Sequence, residues 1–255
     1  MLLGWGTVLG CVVIAGAVLT GAVLGADPNS AGPPDHASPQ PTLHASINDP
    51  APSAADTAAS NTGVSSNAVR DQLAGLRSVS GVSAAPYDRA RFGQAWFDAD
   101  RNGCDTRNDV LRRDLVDVEL KPGTRGCKVL AGRLDDWYSG TTLDFVAGQQ
   151  TSERVQIDHV VPLSWAWKHG AAQWESDALR AFANDPANLV ATSGQQNRQK
   201  SDSGPADWMP ADATAHCAYV ERFTGVLVAY ELGITERERA AIDRVLARAH
   251  CGEQG

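Results

Sequence analysis

The sequence predicts an α+β domain, on three observations. Residues 154–202 read as strand, turn, strand and short helix. Residues 217–250 read as a helical hairpin. Four cysteines flank these pieces and the acidic loop before them. Each element follows from its own residues, in chain order.

Residues 1–26 (MLLGWGTVLGCVVIAGAVLTGAVLGA) carry no charged side chain and are almost wholly apolar. About 20 such residues can span a bilayer. The run is expected to be a signal peptide cut near Ala26 or an uncleaved membrane anchor, although it lacks the basic residues that usually precede a signal's apolar core. Residues 27–85 are rich in Ala, Ser, Pro, Gly, Asn and Asp, with few large apolar side chains. Such a stretch cannot bury enough surface to offset its ordering entropy. It is expected to be a disordered linker with at most one short helix at 68–77, so the folded domain is placed at 86–255.

Cysteine usage agrees with export. Cys104, Cys127, Cys217 and Cys251 are an even set in an exported domain, which suggests two disulfides. Sequence allows three pairings. The favoured ones, 104–127 and 217–251, each close a local unit. The absence of any C-x₂-C pair argues against a Cys₄ zinc site.

Charge excludes little. The chain carries a net −8, which is not the basic footprint of a typical nucleic-acid binder. Within 154–200 the balance is slightly positive, through Arg154, Lys168, Arg180, Arg198 and Lys200.

Along the domain, YDRARFGQAWFDADRNGCDTRNDVLRRDL (87–115) mixes aromatics with an acidic loop and then reads as helix. KVLAGRL (128–134) and TTLDFV (141–146) read as strands around the turn-rich DDWYSG. RVQIDHVVPL (154–163) is a strand with one buried face. Residues 164–186 are helical in two parts around Gly170, and Asp185-Pro186 marks a turn. NLVATSG (188–194) is a short strand leading into QQNRQKSD. Thr235 and Glu238 have capping-box spacing, Ile242, Val245, Leu246 and Ala249 share a helix face, and Gly233 reads as the stop of the preceding helix. Trp165, Trp167 and Trp174 are expected to pack in the core. His169, His216 and His250 have no partner at ligand spacing.

The chemistry lies in an ordered polar set: Asp158-His159, Asn188, Asn197 and Lys200. Neighbours on a strand face opposite ways. A hairpin followed by a helix can therefore bring Asp158 and Asn197 to one point, where two oxygens suit a hard divalent cation. His159, on the other side, would face water or phosphate, and a neutral imidazole can take a proton near neutral pH.

IDHVVPLSWAW…FANDPANLVATSGQQNRQKSDSGPADWMP resembles the HNH (ββα-metal, His-Me finger) endonuclease superfamily. In particular it is similar to exported actinobacterial-type HNH proteins, whose relatives also occur as domains of modification-dependent restriction enzymes. The resemblance implies a ββα-metal core inside a disulfide-braced helical shell. It implies a monomeric, metal-dependent endonuclease with little sequence specificity, with DNA the expected substrate and RNA the alternative. By position, Asp158 and Asn197 would ligate the metal, His159 would be the general base, and Asn188 would hold the hairpin and orient the histidine. Asp and Asn in place of histidine ligands favour Mg²⁺ or Mn²⁺. Lys200, Arg198 and Arg154 are candidates for binding flanking phosphates. The alternatives are a different metal-dependent hydrolase and a non-catalytic, calcium-stabilised binding module.

DADRNGCDTRND supports that last alternative. Asp98, Asp100, Asn102, Gly103 and Asp109 fall at positions 1, 3, 5, 6 and 12 of a calcium-loop pattern. The competing expectation is a disulfide-braced turn whose acids cap the next helix. Arg107, in the same segment, could instead reach the active site.

Overall fold

The computed structural model describes residues 66–248 and Cys251, apart from 82, 84, 149 and 150. The expected export segment, most of the linker, and Ala249 and His250 lie outside the described residues.

Folded structure begins earlier than residue 86. Helix α1 (Ser66–Gly75) buries Val69 and Leu73 in the main core, and Leu76 follows. The short helix expected at 68–77 is thus present about two residues earlier, and it docks on the core through three apolar residues at helical spacing instead of lying in a disordered linker.

Next come α2 (Thr106–Asp114) and a three-stranded antiparallel sheet of β1 (Leu115–Leu120), β2 (Val129–Asp136) and β3 (Thr141–Val146). The helix expected at the end of 87–115 is α2, and strand β1 begins at Leu115. The alternating LVDVEL fits a strand with one face turned inward. Cys104–Cys127 ties the segment before α2 to the β1–β2 connection, and Cys217–Cys251 closes the C-terminal hairpin. These are the two favoured pairings.

The second sheet has two strands, β4 (Val155–His159) and β5 (Leu189–Ser193), paired antiparallel with Asp158 opposite Val190 and His159 opposite Leu189. Between them lie α3 (Leu163–Lys168), a 3₁₀ turn (Ala171–Gln173) and α4 (Ser176–Ala183). Helix α5 (Gly194–Lys200) follows β5 without a break. The Ser193 hydroxyl caps it by accepting from Gln196 N at 3.2 Å. A Cβ on Gly194 would collide with the Glu153 carbonyl, so only glycine lets α5 start this close to β4.

Two apolar clusters sandwich the β4–β5 pair. Val155, Ile157, Leu189 and Ala191 pack with Val110, Leu134 and Phe145 beneath the three-stranded sheet. Val190 joins the larger helical cluster of Trp165, Phe182, Tyr219 and Phe223. Every residue of β5 is buried, so the polar side chains of this layer must find partners.

The helical cluster includes the hairpin of α6 (His216–Ala229) and α7 (Glu236–Arg248). Two local expectations are corrected here. Helix α6 stops at Tyr230, with Glu231 at φ 51°, before Gly233. Gly233 is needed for close approach, because a Cβ there would strike Val79. The capping box is only half made. Glu238 N donates to Thr235 Oγ1 at 3.3 Å, but the Glu238 carboxylate turns to Ala206 N (2.8 Å) and Trp165 Nε1 (3.4 Å).

Candidate active site

Helix α5 lies across one face of β4, and two side-chain pairs fix it there. Residues two apart on a strand share a face about 6.7 Å apart, and residues three apart on a helix share a face over about 4.5 Å. Gln156 and Asp158 thus meet Asn197 and Lys200. Asn197 Nδ2 donates to Gln156 Oε1 at 2.8 Å, and Lys200 Nζ lies 2.9 Å from Asp158 Oδ2. The first bond orients the Asn197 carboxamide and leaves Oδ1 as its acceptor.

Asp158 is 4% exposed and Lys200 is fully buried. The Tyr138 hydroxyl donates to the same carboxylate at 2.9 Å, and Lys200 also donates to the His159 carbonyl at 2.7 Å. Burial pushes Asp158 up and Lys200 down from their ordinary values, while their mutual attraction opposes both shifts. Lys200 is therefore not the solvated phosphate binder the sequence suggested. Its charge is spent inside the protein. Arg154 and Arg198 are exposed, and neither borders the pocket described below.

His159 points the other way, toward α4. Its Nε2 bonds the Ala183 carbonyl at 2.8 Å. A carbonyl only accepts, so Nε2 carries the hydrogen and the neutral ring keeps its lone pair on Nδ1. Burial pushes the imidazole down to about 4, with smaller opposition from the Ala183 carbonyl. The ring is neutral at pH 7.

Asn188 sets the position of both residues. Its Oδ1 accepts from Val161 N at 2.8 Å, its Nδ2 donates to Val161 O at 3.1 Å, and its own carbonyl accepts from Val160 N at 2.8 Å. The side chain extends the β4–β5 ladder past the last paired residues and fixes the chain leaving His159. Asn188 is fully buried and directs no polar atom outward.

Asp158, His159 and Asn197 border one pocket of about 280 Å³, together with Tyr87, Arg89 and Asp202. A smaller pocket of about 50 Å³ adjoins it beyond His159. The sequence reading missed Tyr138, Tyr87 and Arg89. Tyr138 sits in DDWYSG, where turn residues masked a buried tyrosine. Arg89 lies on a short turn between α1 and α2, and nothing in its spacing marks it.

The other sequence candidates lie elsewhere. Arg107 stacks near Trp96 and reaches the Val155 carbonyl at 3.3 Å, at the far end of β4. In the acidic loop, Asp98 accepts from Asn102 N (3.1 Å) and Gly103 N (2.9 Å), and Asp100 accepts from Asn102 N and Nδ2. Asp105 caps α2. Burial raises Asp109, and Asn102 opposes that shift. Trp165 and Trp167 are core residues, and Trp174 is half-buried against Phe182 and Tyr230. His169 stacks on Trp165, and His216 bonds the Pro210 carbonyl. Among the described residues, no group of three or more His, Cys, Asp and Glu is placed to share a metal ion.

The pocket's other carboxylate, Asp202, is paired with Lys168, while Asp158 and Asn197 offer one carboxylate and one carboxamide oxygen. That fits a hard cation of the Mg²⁺ type, which keeps most of its waters and takes one or two protein carboxylates. Lys200 shares the same carboxylate and would compete with such a cation.

Residues 105–245 match the family model described as GmrSD restriction endonucleases, C-terminal domain. The match spans α2 through most of α7, including β4, β5 and α5, and leaves out Tyr87 and Arg89 on the pocket's other side. The chain belongs to this family. It is also 34% identical over 176 residues to an uncharacterized secreted protein of Arthroderma benhamiae, covering 66% of this chain and 81% of that one. No solved structure matches. As a GmrSD C-terminal domain, the chain has the mixed helix-and-sheet fold and two disulfides described above. No helix among the described residues is long and apolar enough to cross a membrane.

Proposed function

We propose that the chain is an exported HNH-type endonuclease that hydrolyses phosphodiester bonds with a divalent metal, and that β4, β5 and α5 are its ββα-metal core. One observation carries the reading. A neutral histidine, locked in one tautomer by the Ala183 carbonyl, shares a pocket with the carboxylate and carboxamide of Asp158 and Asn197. Membership in a family of restriction endonuclease C-terminal domains supports it.

His159 Nδ1 takes the proton of a water as that water's oxygen bonds to phosphorus, and the P–O bond opposite breaks. Asn188 keeps the histidine's backbone fixed through its bonds to Val161. Asp158 and Asn197 would hold Mg²⁺ or Mn²⁺. When bound, that ion neutralises charge on the phosphoryl and leaving oxygens. Tyr138 and Lys200 hold the Asp158 carboxylate in place.

DNA is the first expected substrate. Among the described residues no separate DNA-reading element accompanies the core, and little sequence preference is expected. Export is consistent with two disulfides and with the relative described as secreted. In this reading the N-terminal apolar run is the export element.

The test is nicking of supercoiled plasmid, and cleavage of an RNA of similar length, in Mg²⁺, Mn²⁺, Ca²⁺ or EDTA. The reading expects nicking in Mg²⁺ or Mn²⁺ that EDTA abolishes. A folded protein that cleaves neither nucleic acid in any metal would contradict it.

A further inference from the structure

The expected phosphate binders do not border the pocket, which leaves open what holds the substrate's phosphate. We propose that Arg89 does so, with its guanidinium set over the pocket to engage the two non-bridging oxygens of the scissile phosphodiester. The inference rests on the nuclease reading.

Charge accounting points to it. Apart from His159, three ionisable acids and bases flank the polar part of the pocket: Arg89, Asp158 and Asp202. Asp158 is neutralised by Lys200 at 2.9 Å, and Asp202 by Lys168 at 3.0 Å. Arg89 has no hydrogen bond or ion pair among the described residues, so the pocket's uncompensated charge is positive. Arg89 also borders the smaller pocket beyond His159, so it stands between the two openings, beside the imidazole. It is close enough for its charge to oppose protonation of that ring.

The backbone that presents Arg89 is fixed. It opens a 3₁₀ turn (Arg89–Phe92) capped by Asp88, whose carboxylate accepts from Ala90 N at 2.9 Å. Phe92 is buried against Trp167 and Phe182, with ring centroids 6.1 and 6.4 Å away. The next arginine shows the contrast. Arg91 donates to the carbonyls of Ala172 and Trp174 and lies over the Trp167 ring. It is structural, whereas Arg89 on the same turn has no such partner among the described residues.

A guanidinium suits the task. Its planar fork matches two phosphoryl oxygens at once, and its charge is permanent. As water attacks, negative charge grows on those oxygens, and a preplaced donor lowers the barrier there. A lysine would offer only a point charge.

The test uses the whole chain and its Arg89→Ala, Arg89→Lys, His159→Ala and His159→Ala/Arg89→Ala variants. Lys121→Ala, on the β1–β2 connection, removes an equal charge elsewhere. Cleavage is read as kcat and KM. Binding is read with a fluorescent oligonucleotide in the two His159→Ala backgrounds across a salt series. Arg89→Ala should lower kcat/KM by about 10²–10³, the usual loss for one preplaced donor, and Arg89→Lys should recover part of it. In the binding assay, the double variant should bind more weakly than His159→Ala, with a log–log salt slope shallower by about 0.7–0.9. Lys121→Ala should change neither readout. An Arg89→Ala protein that binds and cleaves like wild type, beside an inactive His159→Ala, would overturn the proposal and leave the nuclease reading standing. A wild-type protein that neither binds nor cleaves would overturn both.

Discussion

Two parts of this chain carry the acids and amides from which a cation site can be built, and they use them differently. In the acidic loop, Asp98 and Asp100 are spent on the loop's own backbone and on Asn102. At the hairpin–helix junction, Asp158 is buried, held by Tyr138 and Lys200, and still borders an open pocket with Asn197 and His159. The first cluster satisfies itself locally. The second is held by side chains from three separate elements, with a histidine beside it. Residue type and spacing nominate both clusters, the second more strongly. What separates them is where the remaining hydrogen bonds go.

Breaking the second cluster should have the larger consequences. His159→Ala should cut the cleavage rate by about 10²–10⁴, the usual worth of a positioned general base, with little change in thermal stability. Lys200→Met should act on stability instead. It leaves the Asp158 carboxylate buried without its cation, a change that typically costs about 3–5 kcal/mol, read as a lower urea midpoint. The double variant Asp158→Asn/Lys200→Met should recover part of that loss, because no unpaired charge is left buried.

The Cys217–Cys251 bridge sharpens the contrast between scaffold and site. It closes a loop with a sequence separation of 34. The chain-entropy account gives about 4 kcal/mol for a loop of that size. Replacing both cysteines with Ala should lower the melting temperature while leaving kcat near wild type where the protein stays folded. Loss of kcat in a folded variant would show that the hairpin takes part in catalysis.

A pH series probes His159 in two ways. Its folded-state value of about 4 lies below the ordinary 6.5, so the unfolded chain binds the proton more tightly. This group's contribution to stability is complete above about pH 6.5 and is lost as pH falls toward 4. Wild type should lose stability over that window more steeply than His159→Gln. The cleavage rate should show no His159 titration near pH 6.5. The smallest effect is expected in the loop. Asp98→Ala removes an acceptor for two backbone N–H groups and should cost about 1 kcal/mol, with no change in metal-dependent cleavage. A large calcium-dependent rise in wild-type melting temperature, absent in Asp98→Ala, would make the loop a second metal site.

Much of the hairpin and its helix was legible because strand alternation, the Asp185-Pro186 turn and the Asp158-to-Asn197 order are local patterns. The two disulfides followed from closing local units. What failed was non-local. Lys200 looked like an exposed base on a polar helix, and only packing against β4 shows its charge to be internal. Tyr138 sat among turn residues, yet it is fully buried beneath Asp158. Glu238 had capping-box spacing, but Ala206 and Trp165 offered its carboxylate better partners. The short helix at 68–77 was legible, but its docking was not, because three apolar side chains suffice when a finished core awaits them.

The most direct test is single-turnover cleavage of plasmid DNA at pH 7.5 in Mg²⁺ by wild type and by His159→Ala, both confirmed folded by circular dichroism. The account predicts nicking by wild type, its loss with EDTA, and near-complete loss in His159→Ala. Equal nicking by the two proteins would mean that the pocket beside Asp158 and Asn197 is not the catalytic centre.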